Sequence, residues 1–296
     1  MKIRLIKDKV IGTGMLTFSI LAVSMVLLIG IGLYWRSLPI LQHHSIWELI
    51  SSSTWRPLKG EFGFLSFIMG TLWVTGMSIA IAVPLCLLVA IYLSEYAPIR
   101  FKNFFLPLVN ILAGIPPVIY GVWGVFFIVP LVQHYIAPSF VDFSTGFTVL
   151  SGGIVLAVMI FPLIVSIIVE VLQTIPKELK EASLSLGATK WETIKKVILK
   201  KAMPGIIAAI VLAISRAFGE TIAVLMVCGN VPISPKSIFD PAYPLPALLA
   251  NNFGEMMSVP LYDAALMFSA FSLFVIILIF NIISRVILQK IEVKNA

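Results

Sequence analysis

The sequence predicts an all-α polytopic membrane protein with six transmembrane helices, and three observations predict it. Of the 296 residues, 59% are hydrophobic and 12% charged, against about 50% and about 25% in an average soluble domain. Mean hydropathy is +1.05, so lipid rather than water is the solvent for most of the surface. Six apolar runs each reach the roughly 20 residues that a helix needs to cross hydrocarbon.

The first run, 10–34, carries no charge and follows Lys2, Arg4, Lys7 and Lys9. It reads as a signal anchor, because the apolar region of a cleavable signal is shorter, at roughly 7–15 residues. The second, 67–93, ends at Glu95, Pro98, Arg100 and Lys102. The third, 104–131, holds Pro107, Gly114, Pro116, Pro117, Gly121, Gly124 and Pro130. Proline lacks a donor and clashes with the preceding turn, so this span must bend or break where neighbours can satisfy the freed groups. Such a run can line a pathway as a gate or serve as a kinked helix between neighbours. The fourth, 148–169, has Pro162 inside it; the fifth, 203–228, contains Arg216 and Glu220; the sixth is 264–284.

A net charge of +7 and a pI near 9.4 would suggest nucleic acid in a soluble protein, but here the charge follows the loops. With the amino terminus placed inside, sixteen of the Lys and Arg residues fall in inside segments. Arg36, Arg56, Lys59 and Lys236 fall outside, and Arg216 lies within a span. Loops rich in Lys and Arg stay in the cytoplasm, which places both termini there, in the inner or plasma membrane, and leaves no nucleic-acid patch. Cys86 and Cys228 sit in apolar runs, and His43, His44 and His134 lie in outside segments without ligand spacing. No metal or cofactor is expected on this chain.

The cytoplasmic segment 172–202 can form two short helices at an angle on the membrane surface. Pro176 sits where a helix begins and Lys177 to Leu186 are good helix formers. Gly187 permits a left-handed or close-packed turn. Thr189 caps a second helix through Trp191 to Leu199, with Glu192 at its third position. An amphipathic loop resting on anionic lipid fits the seven Lys residues equally. The pattern Glu181-Ala182-Ser183, three residues, Gly187, nine residues, Val197, then Leu199 resembles the EAA loop of ATP-binding-cassette importer permeases, which docks in a cleft of a cytoplasmic ATPase. That family's Leu-Pro ending is Leu199-Lys200 here, with Pro204 beyond, so the second helix is expected to run further. The resemblance implies a single transmembrane permease domain over 1–296 with the type I importer fold, and a separate ATPase dimer. The chain has no GxxxxGK[ST] phosphate loop. It is therefore expected not to be an enzyme, ATP being used by the partner.

Arg216 lies 13 residues after Met203 and 12 before Cys228, near mid-depth, where charges are expensive and mark pathways. Four residues apart on a helix, Arg216 and Glu220 would share a face and neutralise each other. The pair can be a structural link between helices or a transient anion site, with the planar guanidinium on oxyanion oxygens and Glu220 accepting from a protonated one. The runs Arg216-Ala-Phe-Gly-Glu-Thr-Ile-Ala-Val224 with Gly229-Asn230, Leu112-Ala-Gly-Ile-Pro-Pro-Val-Ile-Tyr-Gly-Val-Trp-Gly124, Glu61-Phe-Gly-Phe-Leu-Ser-Phe-Ile-Met-Gly-Thr71 and Glu95-Tyr-Ala-Pro98 resemble the C-type permease of phosphate-specific (Pst) importers. Phe218 stands where that family usually has Leu. The resemblance implies inorganic phosphate as substrate, with Arg216 and Glu220 in its passage. It implies as partners a second six-helix permease of the A type, the ATPase dimer, an extracytoplasmic phosphate-binding protein and the lipid bilayer of a prokaryote. The outer loops, Trp35 to Ser66 and Val231 to Pro260 with Asp240, Glu255 and Asp263 nearby, are the expected docking surface for the binding protein. A sulfate or molybdate permease, or an ion-coupled secondary transporter, are the alternatives.

Overall fold

The computed structural model describes the backbone of residues 2–254 and 260–295, and side chains within 10–254 and 261–289. Glu255 lies outside the described residues. Among the described residues, six helical stretches are long and apolar enough to cross a membrane: Val10–His43, Leu65–Tyr96, Pro117–Ser139, Val149–Gln173, Lys190–Phe218 and Leu261–Gln289. Each overlaps one of the six apolar runs, but three differ from the expected bounds in ways that matter.

The first crossing helix does not stop at its first charge. Helix α1 spans Lys2–His43, because Arg36 meets Asp263 of the last helix at 3.1 Å and Ser37 and Ile40 are buried. The outer segment then forms a short helix α2 (Ile46–Ser51) and a small hairpin absent from an all-helical expectation. Its strands are β1 (Trp55–Arg56) and β2 (Glu61–Phe62), antiparallel. Gly60, at φ 74°, ends its turn in a conformation that costs a side chain energy. Helix α3 (Leu65–Ile91) crosses next and finishes in a π-helical turn, Tyr92–Tyr96.

The run 104–131 is not one span. Helix α4 (Ile99–Ala113) stops before Gly114-Ile115-Pro116, where two consecutive prolines withdraw two backbone donors. The Tyr120 hydroxyl reaches back across the break and donates to the Leu112 carbonyl at 2.7 Å. The crossing itself is α5 (Pro117–Trp123), a π-turn Gly124–Ile128, α6 (Val129–Leu131) and a second π-turn Val132–Ile136. His134 is thus at the end of a helix rather than in a loop. A Cβ on Gly121 would meet Met226 Sδ at 2.6 Å, and one on Gly124 would meet Val155 Cγ2 at 2.6 Å. These two glycines let helices approach closely.

Helix α7 (Val149–Gln173) is the central element. Its Val155, Leu156, Ile160, Ile164 and Ile168 are all buried, and α3 lies along it. The next segment begins with α8 (Lys177–Ser185) and α9 (Lys190–Thr193). A π-turn Ile194–Ile198 then carries α9 without interruption into α10 (Leu199–Phe218). The second short helix is therefore the beginning of the fifth crossing, which continues through Lys200 and carries Pro204 inside it. The run 203–228 in turn breaks at 219–221, and α11 (Ile222–Val227) follows. Helices α12 (Leu245–Asn252) and α13 (Pro260–Asn295) complete the chain.

At the hairpin end a second apolar cluster gathers Ile40, Leu49, Phe62, Phe64, Phe67, Leu245, Leu248, Tyr262 and Phe268. The segment before α12 is pinned to α3: Leu245 N–H donates to Thr71 Oγ1 at 2.9 Å. A Cβ on Gly70 would come within 3.2 Å of the Tyr243 backbone, so glycine is what lets that strand of chain lie flat on α3.

Candidate functional site

Two regions carry the predicted site residues, and one helical rod joins them. At one end of that rod, α8 terminates by a Schellman arrangement. Gly187 N–H donates to the Leu184 carbonyl at 3.0 Å and Ala188 N–H to the Ser183 carbonyl at 3.3 Å, which needs a left-handed residue between them. Gly187 supplies it at φ 83°. Space is not the constraint, since a Cβ there would meet nothing within 4 Å in this chain. Thr189 then caps α9 as expected: Glu192 N–H donates to Thr189 Oγ1 at 3.2 Å, and Thr189 N–H to Glu192 Oε2 at 3.1 Å. A hydroxyl contact between Ser183 and Thr193, at 2.9 Å, sets the angle between the two helices.

The six residues of the EAA-like pattern divide into two groups. Glu181, Ala182 and Gly187 are exposed, whereas Ser183, Val197 and Leu199 turn partly inward beside the buried Thr193, Ile194 and Ile198. The pattern misses the most conspicuous residue of the region: Leu186, at the tip between the helices, is 89% exposed. An apolar side chain just before a left-handed glycine in a charged segment was the available signal. It also misses Glu95, whose carboxylate takes both contacts from Lys180, at 2.6 and 2.8 Å. No local signal announces a pair 85 residues apart.

At the other end of the rod, Arg216 occupies the last turn of α10, and the expected pairing with Glu220 does not form. Gly219 ends α10, so Glu220 leaves the helix and its Oε1 accepts from Ala223 N–H at 3.2 Å. Each charge faces a favourable helix end instead, the guanidinium at the C-terminal end of α10 and the carboxylate at the N-terminal end of α11. The Arg216 guanidinium has no hydrogen bond or ion pair among the described residues. It lies on an exposed stripe of α10 with Ala208 and Leu212, while Ala213 and Ala217, about 100° further round the helix, are buried. Glu220 is half-buried and borders a cavity of about 10 Å³, with Thr71 and Thr75 of α3 and Pro244 and Pro246 opposite. That is close to the least space that holds one water. Phe218 is accommodated against Phe280, with ring centroids 5.6 Å apart. No cluster of metal-ligating side chains occurs among the described residues.

Six crossing helices with a bent, polar element between the fourth and fifth, and an unpaired guanidinium inside the fifth, define a multi-pass membrane permease. The chain belongs to the family "Binding-protein-dependent transport system inner membrane component", which matches residues 82–293. It is 36% identical over 277 residues to a probable phosphate transport system permease protein PstC of Methanocaldococcus jannaschii, covering 87% of this chain and 86% of that one. The PstC protein of Mesorhizobium japonicum is 35% identical, covering 84% and 80%. A probable ABC transporter permease of Bacillus subtilis, YqgH, is 41% identical over 70% of this chain and 66% of its own length. Among solved structures, a bacterial alginate ABC transporter superposes with a TM-score of 0.61 at 18% identity, covering 88% of each chain. The MetNI methionine transporter gives 0.55 at 19% identity over 80% of this chain and 99% of that one. These establish the fold as that of an importer permease.

Proposed function

We propose that the chain is the permease of an ATP-driven importer that passes inorganic phosphate inward across a prokaryotic cytoplasmic membrane, with both termini in the cytoplasm. The observation that carries this reading is the unpaired Arg216 on an exposed stripe inside an apolar crossing. Hydrocarbon cannot accept a guanidinium's hydrogen bonds, so that face suits a second six-helix permease, of the A type, and an aqueous path between the two. There the planar fork fits two oxygens of one oxyanion, and Glu220 nearby accepts from a protonated oxygen, which sulfate lacks. The similarity to phosphate permeases along most of the chain supports phosphate over other oxyanions.

ATP hydrolysis belongs, on this reading, to a separate cytoplasmic ATPase dimer seated on the outward group Glu181, Ala182, Leu186 and Gly187. An extracytoplasmic phosphate-binding protein meets the hairpin end. Because α9, the π-turn and α10 form one rod, a push at Lys190 is delivered to Arg216 about 39 Å away, at 1.5 Å per residue. The exposed apolar side chains of α1, such as Leu16, Phe18 and Leu28, suit acyl chains. The test is uptake of phosphate, sulfate and molybdate by the whole assembled transporter in vesicles. Phosphate uptake lost on Arg216→Gln, with the complex intact, is the expected result. Equal uptake by the variant, or preference for sulfate or molybdate, overturns the reading.

A further inference from the structure

We infer that Glu95 and Tyr96, at the end of α3, are positioning residues that tie the coupling helices to a second membrane-crossing lever. The inference rests on the docking role proposed above for residues 172–202. Helix α8 buries none of its own residues, so apolar contact does not seat it. Polar contacts do. Lys180 Nζ of α8 lies 2.6 and 2.8 Å from the two carboxylate oxygens of Glu95. Lys190 Nζ, at the start of α9, lies 4.3 Å from the centre of the Tyr96 ring, within range of a cation–π attraction. Two adjacent residues thus hold the two coupling helices, one each. Both belong to the π-helical turn that ends α3, a geometry that recurs where a helix serves a functional site.

Burial decides that this contact is more than a surface ion pair. Exposed pairs are screened and contribute little, but the Glu95 side chain is 4% exposed against 36% for Lys180. A carboxylate removed from water that far depends on its partner, and losing the partner is the expensive case. About 30 Å along the same rod, at 1.5 Å per residue, Thr75 and Thr71 border the cavity that Glu220 also lines. Movement of the coupling helices therefore reaches the neighbourhood of Glu220 by two routes. One is covalent, through α10 to Arg216. The other runs through Glu95 and Tyr96 into α3. Two rods pushed together open or close the space between them, whereas one rod alone only tilts.

The test uses the complete transporter in vesicles, with phosphate uptake and ATP hydrolysis measured on the same preparation. Lys180→Met and Glu95→Gln are expected to keep the ATPase bound and hydrolysing while phosphate moved per ATP falls about fivefold or more, the equivalent of about 1 kcal/mol of lost coupling. The charge-swapped double variant, Glu95→Lys with Lys180→Glu, is expected to restore most of that ratio. Tyr96→Leu, which leaves the ion pair in place, should lower it less. Leu186→Asp, at the docking tip, should instead release the ATPase altogether; an ATPase retained there would remove the docking reading and this inference with it. If Leu186→Asp releases the ATPase but the single variants keep the parental phosphate-to-ATP ratio, the pair is structural only and the inference fails. It fails equally if the single variants lose the ATPase and the charge swap does not recover the ratio.

Discussion

At the hairpin end of the molecule the chain buries ring against ring, and at the coupling end helix α8 buries none of its own residues while Thr193, Ile194 and Ile198 of the next helix do the packing. Trp55 stands edge-on to Phe67 with centroids 4.9 Å apart, Phe67 meets Tyr243 at 5.3 Å and Phe64 meets Phe268 at 5.3 Å. Helix α8 is held by one buried carboxylate, a hydroxyl contact and a Schellman turn. Apolar contact is short-ranged and non-directional, so a dense cluster has one low-energy arrangement and resists displacement. A few hydrogen bonds and one ion pair keep orientation while leaving the element free to tilt as a unit. The contrast suits the docking role proposed above, with a hairpin end that stays put and a cytoplasmic end that is moved.

The sharpest break of that contrast comes from the rod between the ends. Arg216→Gln is expected to abolish phosphate uptake while the ATPase and the second permease still copurify. The double variant Arg216→Gln with Glu220→Gln should remain inactive, because the two residues do not neutralise each other here; recovered uptake would restore the ion-pair reading. At the hairpin end, Phe67→Ala should cost about 3–5 kcal/mol, the usual loss for emptying a buried aromatic site. Thermal unfolding in detergent reports it, and an unchanged midpoint would mean that the cluster is not what holds this end rigid.

Smaller effects are expected at the coupling end. Gly187→Val forces a β-branched residue to positive φ, costing about 1–2 kcal/mol. Since nothing crowds that position, the loss should appear as roughly tenfold weaker retention of the ATPase, with membrane insertion unchanged. Thr189→Ala removes one arm of the capping box and should cost about 1 kcal/mol, seen as a modest drop in uptake; a loss as large as that of Gly187→Val would put the cap, not the turn, at the centre of docking. Reporter fusions sharpen the comparison without perturbing it. A fusion at 190 should report cytoplasm and one at 50 the outside, and the reverse result would exchange the roles assigned to the two ends.

Much of the molecule is readable along the chain. The cap at Thr189 with Glu192, the left-handed Gly187 and the break near Pro116 are local events, fixed by residues within four positions of one another. The bounds of α1 are not, because Arg36 looks like a stop until Asp263 meets it from the far end of the chain. The separation of Arg216 from Glu220 escapes the sequence for a related reason: spacing of four implies a shared helix face only if the helix continues, and Gly219 ends it.

What the sequence alone determined is the number of crossings, the basic segment 172–202 and the presence of charge inside the fifth apolar run, since hydropathy, length and loop charge are additive properties of a run of residues. Only the tertiary structure decided that α9 and the fifth crossing are one rod, that Arg216 is left unpaired, and that Glu95 reaches Lys180. Those outcomes depend on which groups are brought together from distant positions and on whether water is excluded when they meet. Neither quantity is carried by any local stretch of the chain.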